Sequence, residues 1–345
     1  MKHMVRKELE SSASIIAKID ETQVMAIAGA MVASFRNGGK LIIFGNGGSA
    51  ADAQHLAAEL QGRYTMERPA LNAIAVSNIS AITAIGNDYS YDDVFQRHIE
   101  GFARQGDVVI GISTSGNSKN VLKAIVKAKE MGAVTIAFTG NKGKLSETAD
   151  LVLAIPSDNT PRIQEGYMAA GHIICGLVER MLFARRAVFI DRDDTIVKDV
   201  PYCSRPEDLV LFPEVGRSIK RLNDAGFLVI IVTNQSGVSR GYFTDDMLQR
   251  IHVKLLEEIG REGGKVDAVY YCPHTPEQGC QCRKPQPGMI EQAMRDFDID
   301  LTRSFIIGDS NHEEGLARLL DLNFFKVSDE LGFARAVDQI LNQME

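Results

Sequence analysis

Apolar residues recur at helical spacing over residues 4–37, where Leu9, Ile15, Ile16, Ile19, Ile27 and Met31 carry the pattern and Asp20 interrupts it. Short unbroken apolar runs follow at 40–44, 71–76, 107–112, 134–138 and 151–155. Helical segments are predicted at 50–60 and 120–130, and a long helix from about 161 to 184. Strands apolar on both faces belong to parallel sheets covered on both sides. Their alternation with helices predicts an open, doubly wound α/β domain. The pattern then restarts. An apolar strand from 187 ends in Asp191-Arg192-Asp193-Asp194-Thr195, and a polar segment at 197–213 is expected to cover a substrate. A helix at 214–225 and strands at 227–232 and 304–307 come next. This predicts a second α/β domain, with boundaries 1–185 and 186–345. Arg185-Arg186 leads straight into the new strand without a Gly/Ser or Pro linker, so a stiff connection is expected.

A length of 345 residues gives each half enough chain to bury a core. A net charge of −7 argues against nucleic acid as a partner, because phosphate neutralisation needs clustered Lys and Arg. No apolar run approaches the roughly 18 residues of a membrane span. The segment MKHMVRKELESS lacks an apolar signal core, so a cytoplasmic protein is expected. Of five cysteines, three fall within 272–282, which suits metal ligation better than a disulfide framework.

The chemistry of the first half begins at Gly45-Asn46-Gly47-Gly48-Ser49. A strand, a Gly-rich turn and a helix start can cradle an anion with backbone N–H groups. The stretch also fits the dinucleotide fingerprint, which expects an acidic end to the next strand. Here that strand runs into Ser77-Asn78, which argues against a nicotinamide cofactor. His55 and Glu59, four residues apart, share a helix face and can bind a divalent metal or move protons. A second loop, Ser113-Thr114-Ser115-Gly116-Asn117-Ser118, places four hydroxyls at a helix start. One would suffice as a cap, and an anionic substrate group accounts for the others.

ISTSGNS is close to the sugar-isomerase (SIS) phosphosugar signature. With GNGGSAADAQHLAAELQGRY, the Gly86-Asn87-Asp88 turn and RIQEGYMAAGH, residues 1–184 resemble the phosphoheptose isomerase family. The resemblance implies a flavodoxin-like SIS domain converting sedoheptulose 7-phosphate into D-glycero-D-manno-heptose 7-phosphate. It implies that Ser113, Thr114, Ser115 and Ser118 hold the phosphate. Asn46, Gly47, Gly48, Ser49, Asn87, Asp88 and Gln164 would contact the sugar. His55, Glu59, Gln164 and His172 would bind zinc, with Glu59 and His172 also moving protons. Gln164 and His172 lie about 12 Å apart along one helix, so the helix bends or subunits share the site. The family forms tetramers with sites at interfaces, and a homotetramer is expected.

In the second half, two carboxylates two residues apart at a strand end can share a cation and a substrate. Thr233, closing the 227–232 strand, suits a phosphate, and Gly308-Asp309 closes another strand with a carboxylate. Cys272, His274, Cys280 and Cys282 form C-x-H-x5-C-x-C within eleven residues, the donor set of a closed tetrahedral structural zinc site. Cys175 and Cys203 are expected only to pack, and His98, His252 and His312 to lie on the surface.

The Asp191–Thr195 stretch resembles the first motif of the haloacid dehalogenase (HAD) phosphohydrolases. With TNQSGVSRGYF, YYCPH and CQCRKPQPGM, residues 187–345 resemble the heptose 1,7-bisphosphate phosphatases, relatives of histidinol-phosphate phosphatase. The resemblance implies a Rossmann-like HAD domain with Asp191 as nucleophile and Asp193 as acid/base. Thr233, Asn234, Gln235, Ser236, Arg283 and Lys284 would hold the substrate, and Asp191, Asp309 and the backbone oxygen of Asp193 magnesium. The chain departs from that family at Asp194, where Gly is usual, and at Ser310, where Lys is usual. Glu313 or Glu314 stands where Asp is usual. The expectation is a bifunctional enzyme of heptose synthesis for surface polysaccharide. Rival readings are a phosphatase half that is impaired or acts on histidinol phosphate, and a non-catalytic phosphosugar-binding scaffold.

Overall fold

The computed structural model describes residues 1–198, 200–329 and 331–343, and divides the chain into two units, Met1–Phe183 and Ala184–Glu345. Residue 199, in the predicted covering segment, lies outside the described residues.

The first unit runs α1 (Lys2–Ile16), α2 (Glu21–Arg36), β1 (Leu41–Gly45), α3 (Gly48–Gln61), β2 (Ala73–Ala75), α4 (Ile79–Asp88), α5 (Val94–Phe102), β3 (Val108–Ser113), α6 (Lys119–Glu130), β4 (Val134–Thr139), α7 (Leu145–Thr148), β5 (Leu151–Ala154) and α8 (Thr160–Phe183). The interruption at Asp20 is an N-cap: its carboxylate accepts from Thr22 N at 2.8 Å and starts α2. The sheet is parallel, in the order β2-β1-β3-β4-β5. Leu41 and Ile43 enter one core with Leu56, Leu60 and Tyr167, while Ile42 and Phe44 enter the opposite one with Phe95 and Ile125. Burial on both faces explains why this strand reads as an unbroken apolar run.

A buried charge ties α8 to the segment after α3. The Glu179 carboxylate accepts from the backbone N–H groups of Tyr64, Thr65 and Met66 and from Arg68 Nε. Burial opposes its ionisation, but these donors outweigh it and hold Glu179 below the usual carboxylate range.

The second unit runs β6 (Ala187–Ile190), α9 (Val215–Asp224), β7 (Leu228–Asn234), α10 (Asp245–Arg261), β8 (Ala268–Cys272), α11 (Gly288–Asp296), β9 (Phe305–Gly308), α12 (Asn311–Leu320), β10 (Asn323–Lys326) and α13 (Gly332–Asn342). Its sheet is also parallel, ordered β10-β9-β6-β7-β8. Both units are therefore doubly wound. In such sheets ligands bind beyond the carboxyl ends of the strands, where the strand order reverses. That point falls between β1 and β3 in the first unit and between β6 and β9 in the second.

Two expectations fail here. His98 and His252 are buried, not on the surface. His98 Nδ1 lies 2.7 Å from Val94 O, and His252 sits on the inner face of α10. Among the described residues, no helix is long and apolar enough to cross a membrane.

Candidate functional sites

At the first switch point, β1 ends at Gly45 and the chain turns through Asn46 and Gly47 into α3. Gly47 has φ of 56°, a left-handed backbone that suits glycine. Asn46 and Asn120 exchange amide hydrogen bonds at 2.9 Å in both directions, and Tyr91 donates to Asn46 Oδ1 at 3.0 Å. Asn120 lies in the first turn of α6, so this pair joins the two loops predicted to bind anions.

After β3, Ser113 Oγ lies 2.9 Å from Ser118 Oγ and 3.5 Å from Ser115 Oγ. Ser118 is the N-cap residue of α6 but makes no side-chain cap bond. Its hydroxyl turns to the cluster instead. Thr139 Oγ1 is buried without a partner among the described residues, and a Cβ on Gly116 would come within 2.9 Å of it. Clustered hydroxyls before an uncapped helix start fit an anionic oxygen group. Asn87 and Asp88, read as a turn, instead form the exposed last turn of α4, where Asn87 Nδ2 donates to Asp88 Oδ1 at 2.8 Å.

Two turns along α3, His55 Nε2 lies 3.3 Å from Glu59 Oε1 and 2.9 Å from His172 Nε2 of α8. The donor atoms of these three residues lie within 4.8 Å of one another. Two imidazoles and a carboxylate in such a group are a donor set for a divalent transition metal with an open position. Gln164 does not join them. About 12 Å back along α8, its amide donates to Asp52 Oδ2 at 2.7 Å. Asp52 also accepts from Tyr167 OH at 3.2 Å, which lies 2.9 Å from Ser49 Oγ. Burial raises the Tyr167 phenol, so it remains a donor. This Ser49–Tyr167–Asp52–Gln164 network was missed from sequence, because its members are spread over more than a hundred residues and form no local motif.

The second switch point gathers Asp191, Asp193, Thr233, Lys284, Asp309 and Glu313 around a cavity of about 220 Å³. Lys284 Nζ lies 2.6 Å from Asp191 Oδ1 and 2.6 Å from Glu313 Oε1, and donates to Val232 O at 2.8 Å. Burial pushes the Asp191 carboxyl up to about 7, with Lys284 opposing and Glu313 reinforcing. Burial also opposes Glu313, but Lys284 and Ser310 outweigh it and hold that carboxyl low. Two carboxylates here share one ammonium, and a bound cation would relieve the excess negative charge.

Asp191, Asp309 and Glu313 offer oxygens within 4.8 Å of one another. This all-oxygen set fits a hard divalent ion. The Asp193 carboxyl, expected as the acid/base while only its backbone oxygen meets the metal, is not part of this set: Arg192 and Gln235 hold it. Glu313 takes the third place. It was left undecided against Glu314, which pairs with Arg318. Ser310 caps α12 in a reciprocal box with Glu313 and so orients that carboxylate. Gln235, predicted to touch substrate, is buried and bridges Asp193 and Thr233. Asn234 accepts from Lys284 N at 3.0 Å and donates to its carbonyl at 3.3 Å. Ser236 lines an adjoining cavity of about 310 Å³ beside Tyr202 and Cys203. His312 is exposed, as expected, and lines the first cavity.

Asp194 has φ of 52°, the left-handed region that glycine fills without strain. Asp194→Gly is expected to raise unfolding free energy by up to ~1 kcal/mol, as read by urea denaturation.

Cys272, His274, Cys280 and Cys282 converge. The sulfur pairs lie 3.2–3.5 Å apart, and His274 Nδ1 lies 3.5 Å from Cys272 and 3.3 Å from Cys282. Such spacings surround a single centre, as a tetrahedral metal with bonds of about 2.3 Å to sulfur requires. Arg283 Nη1 donates to His274 O at 3.2 Å, so the loop also holds a residue that lines the cavity. Stripping metal from these four residues is expected to cost the second unit on the order of several kcal/mol. Thermal unfolding with and without chelator, followed by zinc restoration, measures this.

Residues 7–140 match the family described as "SIS domain", and residues 186–338 the family described as "Polynucleotide kinase 3 phosphatase". A phosphoheptose isomerase of Sulfurimonas denitrificans is 46% identical over 181 residues, 52% of this chain and 90% of its own length. The solved structure of a phosphoheptose isomerase from Francisella tularensis has TM-score 0.50 and 33% identity, covering 52% of this chain and 97% of that one. The structure of D,D-heptose 1,7-bisphosphate phosphatase from B. bronchiseptica, complexed with magnesium and phosphate, is 34% identical over 46% of this chain and 86% of that one, at TM-score 0.40. The isomerase relative matches about half of this chain, and the chain spans nearly all of it. Through its first half, therefore, this chain belongs to the phosphoheptose isomerase family, and a second unit of phosphatase type follows it.

Proposed function

We propose that the chain is a bifunctional enzyme of heptose synthesis. The first unit isomerises sedoheptulose 7-phosphate to D-glycero-D-manno-heptose 7-phosphate. The second removes the 7-phosphate from D-glycero-D-manno-heptose 1,7-bisphosphate. The observation that carries this reading is the placement of two separate sets of reactive side chains. The Asp191–Asp309–Glu313 set lies at the switch point of the second sheet, and the His55–Glu59–His172 set lies two to three turns along α3, the helix that starts from the switch point of the first.

In the first unit the Ser113–Ser118 loop holds the phosphate. Glu59 takes a proton from C1 of the ketose and returns it to C2, through an enediolate. His172 moves the proton between the two oxygens. Zinc held by His55, Glu59 and His172 would polarise those oxygens when bound. The Asp52–Tyr167–Ser49 network fixes Gln164 beside the Gly48 turn.

In the second unit Asp191 attacks phosphorus, and the bond from phosphorus to the sugar oxygen breaks as Asp193 protonates that oxygen. Asp193 then takes a proton from water, which attacks the aspartyl phosphate and releases inorganic phosphate and the free Asp191 carboxylate. Lys284, Arg283 and Thr233 hold the phosphoryl oxygens. Magnesium bound by Asp191, Asp309 and Glu313 would neutralise charge on those oxygens. A zinc ion at Cys272, His274, Cys280 and Cys282 would fold the loop that carries Arg283 and Lys284.

The two steps are not consecutive, since a kinase must add the 1-phosphate between them. The reading also takes the protein as a cytoplasmic homotetramer assembled through the first unit. Met4, Val5 and Leu9 of α1 are exposed, which supports such an assembly. Light scattering gives the mass.

The test is phosphate release from the α and β anomers of heptose 1,7-bisphosphate, beside isomerisation of sedoheptulose 7-phosphate. Release from C7 supports the second half, and the preferred anomer points to the nucleotide-heptose branch. No release from either anomer, with turnover of histidinol phosphate, overturns the substrate. Binding of sugar phosphates without turnover leaves only a scaffold.

A further inference from the structure

We propose that Arg192 and Gln235 form a buried clamp that positions the Asp193 carboxyl for proton transfer to the leaving oxygen. The inference rests on the phosphatase reading above. Arg192 stands between the two reactive carboxylates in sequence, yet its side chain is only 2% exposed. It turns inward and grips Asp193 along a fork. Nε donates to Oδ1 at 2.9 Å, and Nη2 to Oδ1 at 2.7 Å and to Oδ2 at 2.9 Å. Gln235 Nε2 closes the grip on Oδ2 at 2.7 Å and reaches Thr233 Oγ1 at 2.9 Å.

The backbone completes the arrangement. Arg192 N donates to Asp191 Oδ1 at 2.8 Å, and its carbonyl accepts from Ile196 N and Val197 N at 3.0 and 3.1 Å. One residue thus links the nucleophile, the acid and the turn that carries both. Thr233, a predicted phosphate contact, is tied to the same carboxylate through Gln235.

Stability does not explain this arrangement. Desolvating a guanidinium is costly, and buried ion pairs are often replaced by apolar groups without loss of stability. Arg192 also leaves Nη1 buried with no partner among the described residues, as His252 leaves Nε2. Burial, aided by Arg192, pushes His252 down to about 4, so it is neutral at physiological pH and adds no second cation. A planar fork fixes both oxygens of a carboxylate, which a single donor cannot do. A general acid needs that orientation, since proton transfer demands hydrogen-bond reach to the leaving oxygen.

The leaving group provides the test. A sugar alkoxide must be protonated as it departs, whereas p-nitrophenolate needs no proton. The ratio kcat/KM reports only the steps up to the phosphoenzyme, so later attack by water does not obscure the comparison. Arg192→Lys and Gln235→Met are made in the full, metal-replete chain, with Asp193→Asn as reference. For heptose 1,7-bisphosphate, kcat/KM is expected to fall ~10–100-fold in each clamp variant. For p-nitrophenyl phosphate it is expected to stay within about threefold. If Arg192→Lys does not fold, Gln235→Met carries the test alone. A parallel fall on both substrates would mean that Asp191 or Thr233 has moved too, and the clamp would be structural only. No fall on either would also overturn it. Failure of the unmodified enzyme on both substrates sinks the phosphatase reading, and the clamp with it.

Discussion

Asp191→Asn is expected to lower phosphate release by ~10³-fold or more, with isomerisation held within about twofold. The amide keeps the size of the carboxyl and has no anionic oxygen to attack phosphorus. Little residual turnover is expected, because no other carboxylate among the described residues is equally placed. Glu313 is held by Lys284 and Ser310, and Asp193 by Arg192 and Gln235. The first unit closes its own sheet and cores, which is why isomerisation should persist. Phosphate release and aldose formation, measured on one preparation, decide the matter. A fall in both activities in a folded protein would rule out independent sites. Unchanged phosphate release would place the nucleophile elsewhere.

Glu59→Gln should do the converse, lowering isomerisation by ~10²–10⁴-fold while phosphate release continues. Glutamine retains the shape and a neutral oxygen, but cannot take the C1 proton. Since Glu59 lies 3.3 Å from His55 Nε2, the change also removes one anionic metal donor. Metal content measured beside the rate separates these causes. A variant that keeps its metal and loses exchange of the C1 proton with solvent has lost the base. A variant that loses both metal and rate, and recovers when metal is added, has lost only the ligand.

The sequence was most legible where chemistry is local. The runs at Leu41–Gly45, Val108–Ser113 and Leu228–Asn234 declared themselves as strands because both faces are buried. The four metal-type residues of the 272–282 loop could be grouped by spacing alone, since eleven residues cannot carry them far apart. The hydroxyl loop at Ser113–Ser118 was similarly compact. Helix α4 escaped notice, and Asn87-Asp88 was taken for a turn, because a ten-residue helix with no buried residue shows little apolar periodicity; α5 buries Val94, Phe95, His98 and Ile99, but nine residues repeat that pattern too few times.

By itself, then, the sequence determined the two parallel α/β units, the Gly-rich and hydroxyl-rich loops and the carboxylates carried at strand ends. Alternating apolar runs and short-range spacing specify these without reference to distant chain. Only the tertiary structure decided which side chains share a site. The Glu313 carboxylate joins those of Asp191 and Asp309, because the Ser310 cap aims it inward, while Arg192 and Gln235 hold the Asp193 carboxyl apart from them. Within one chain Gln164 faces Asp52, because two helical turns separate it from His172. His252 is buried because α10 turns that face to the core. Each outcome depends on residues far apart in the chain meeting in space, and one-dimensional periodicity carries no record of that.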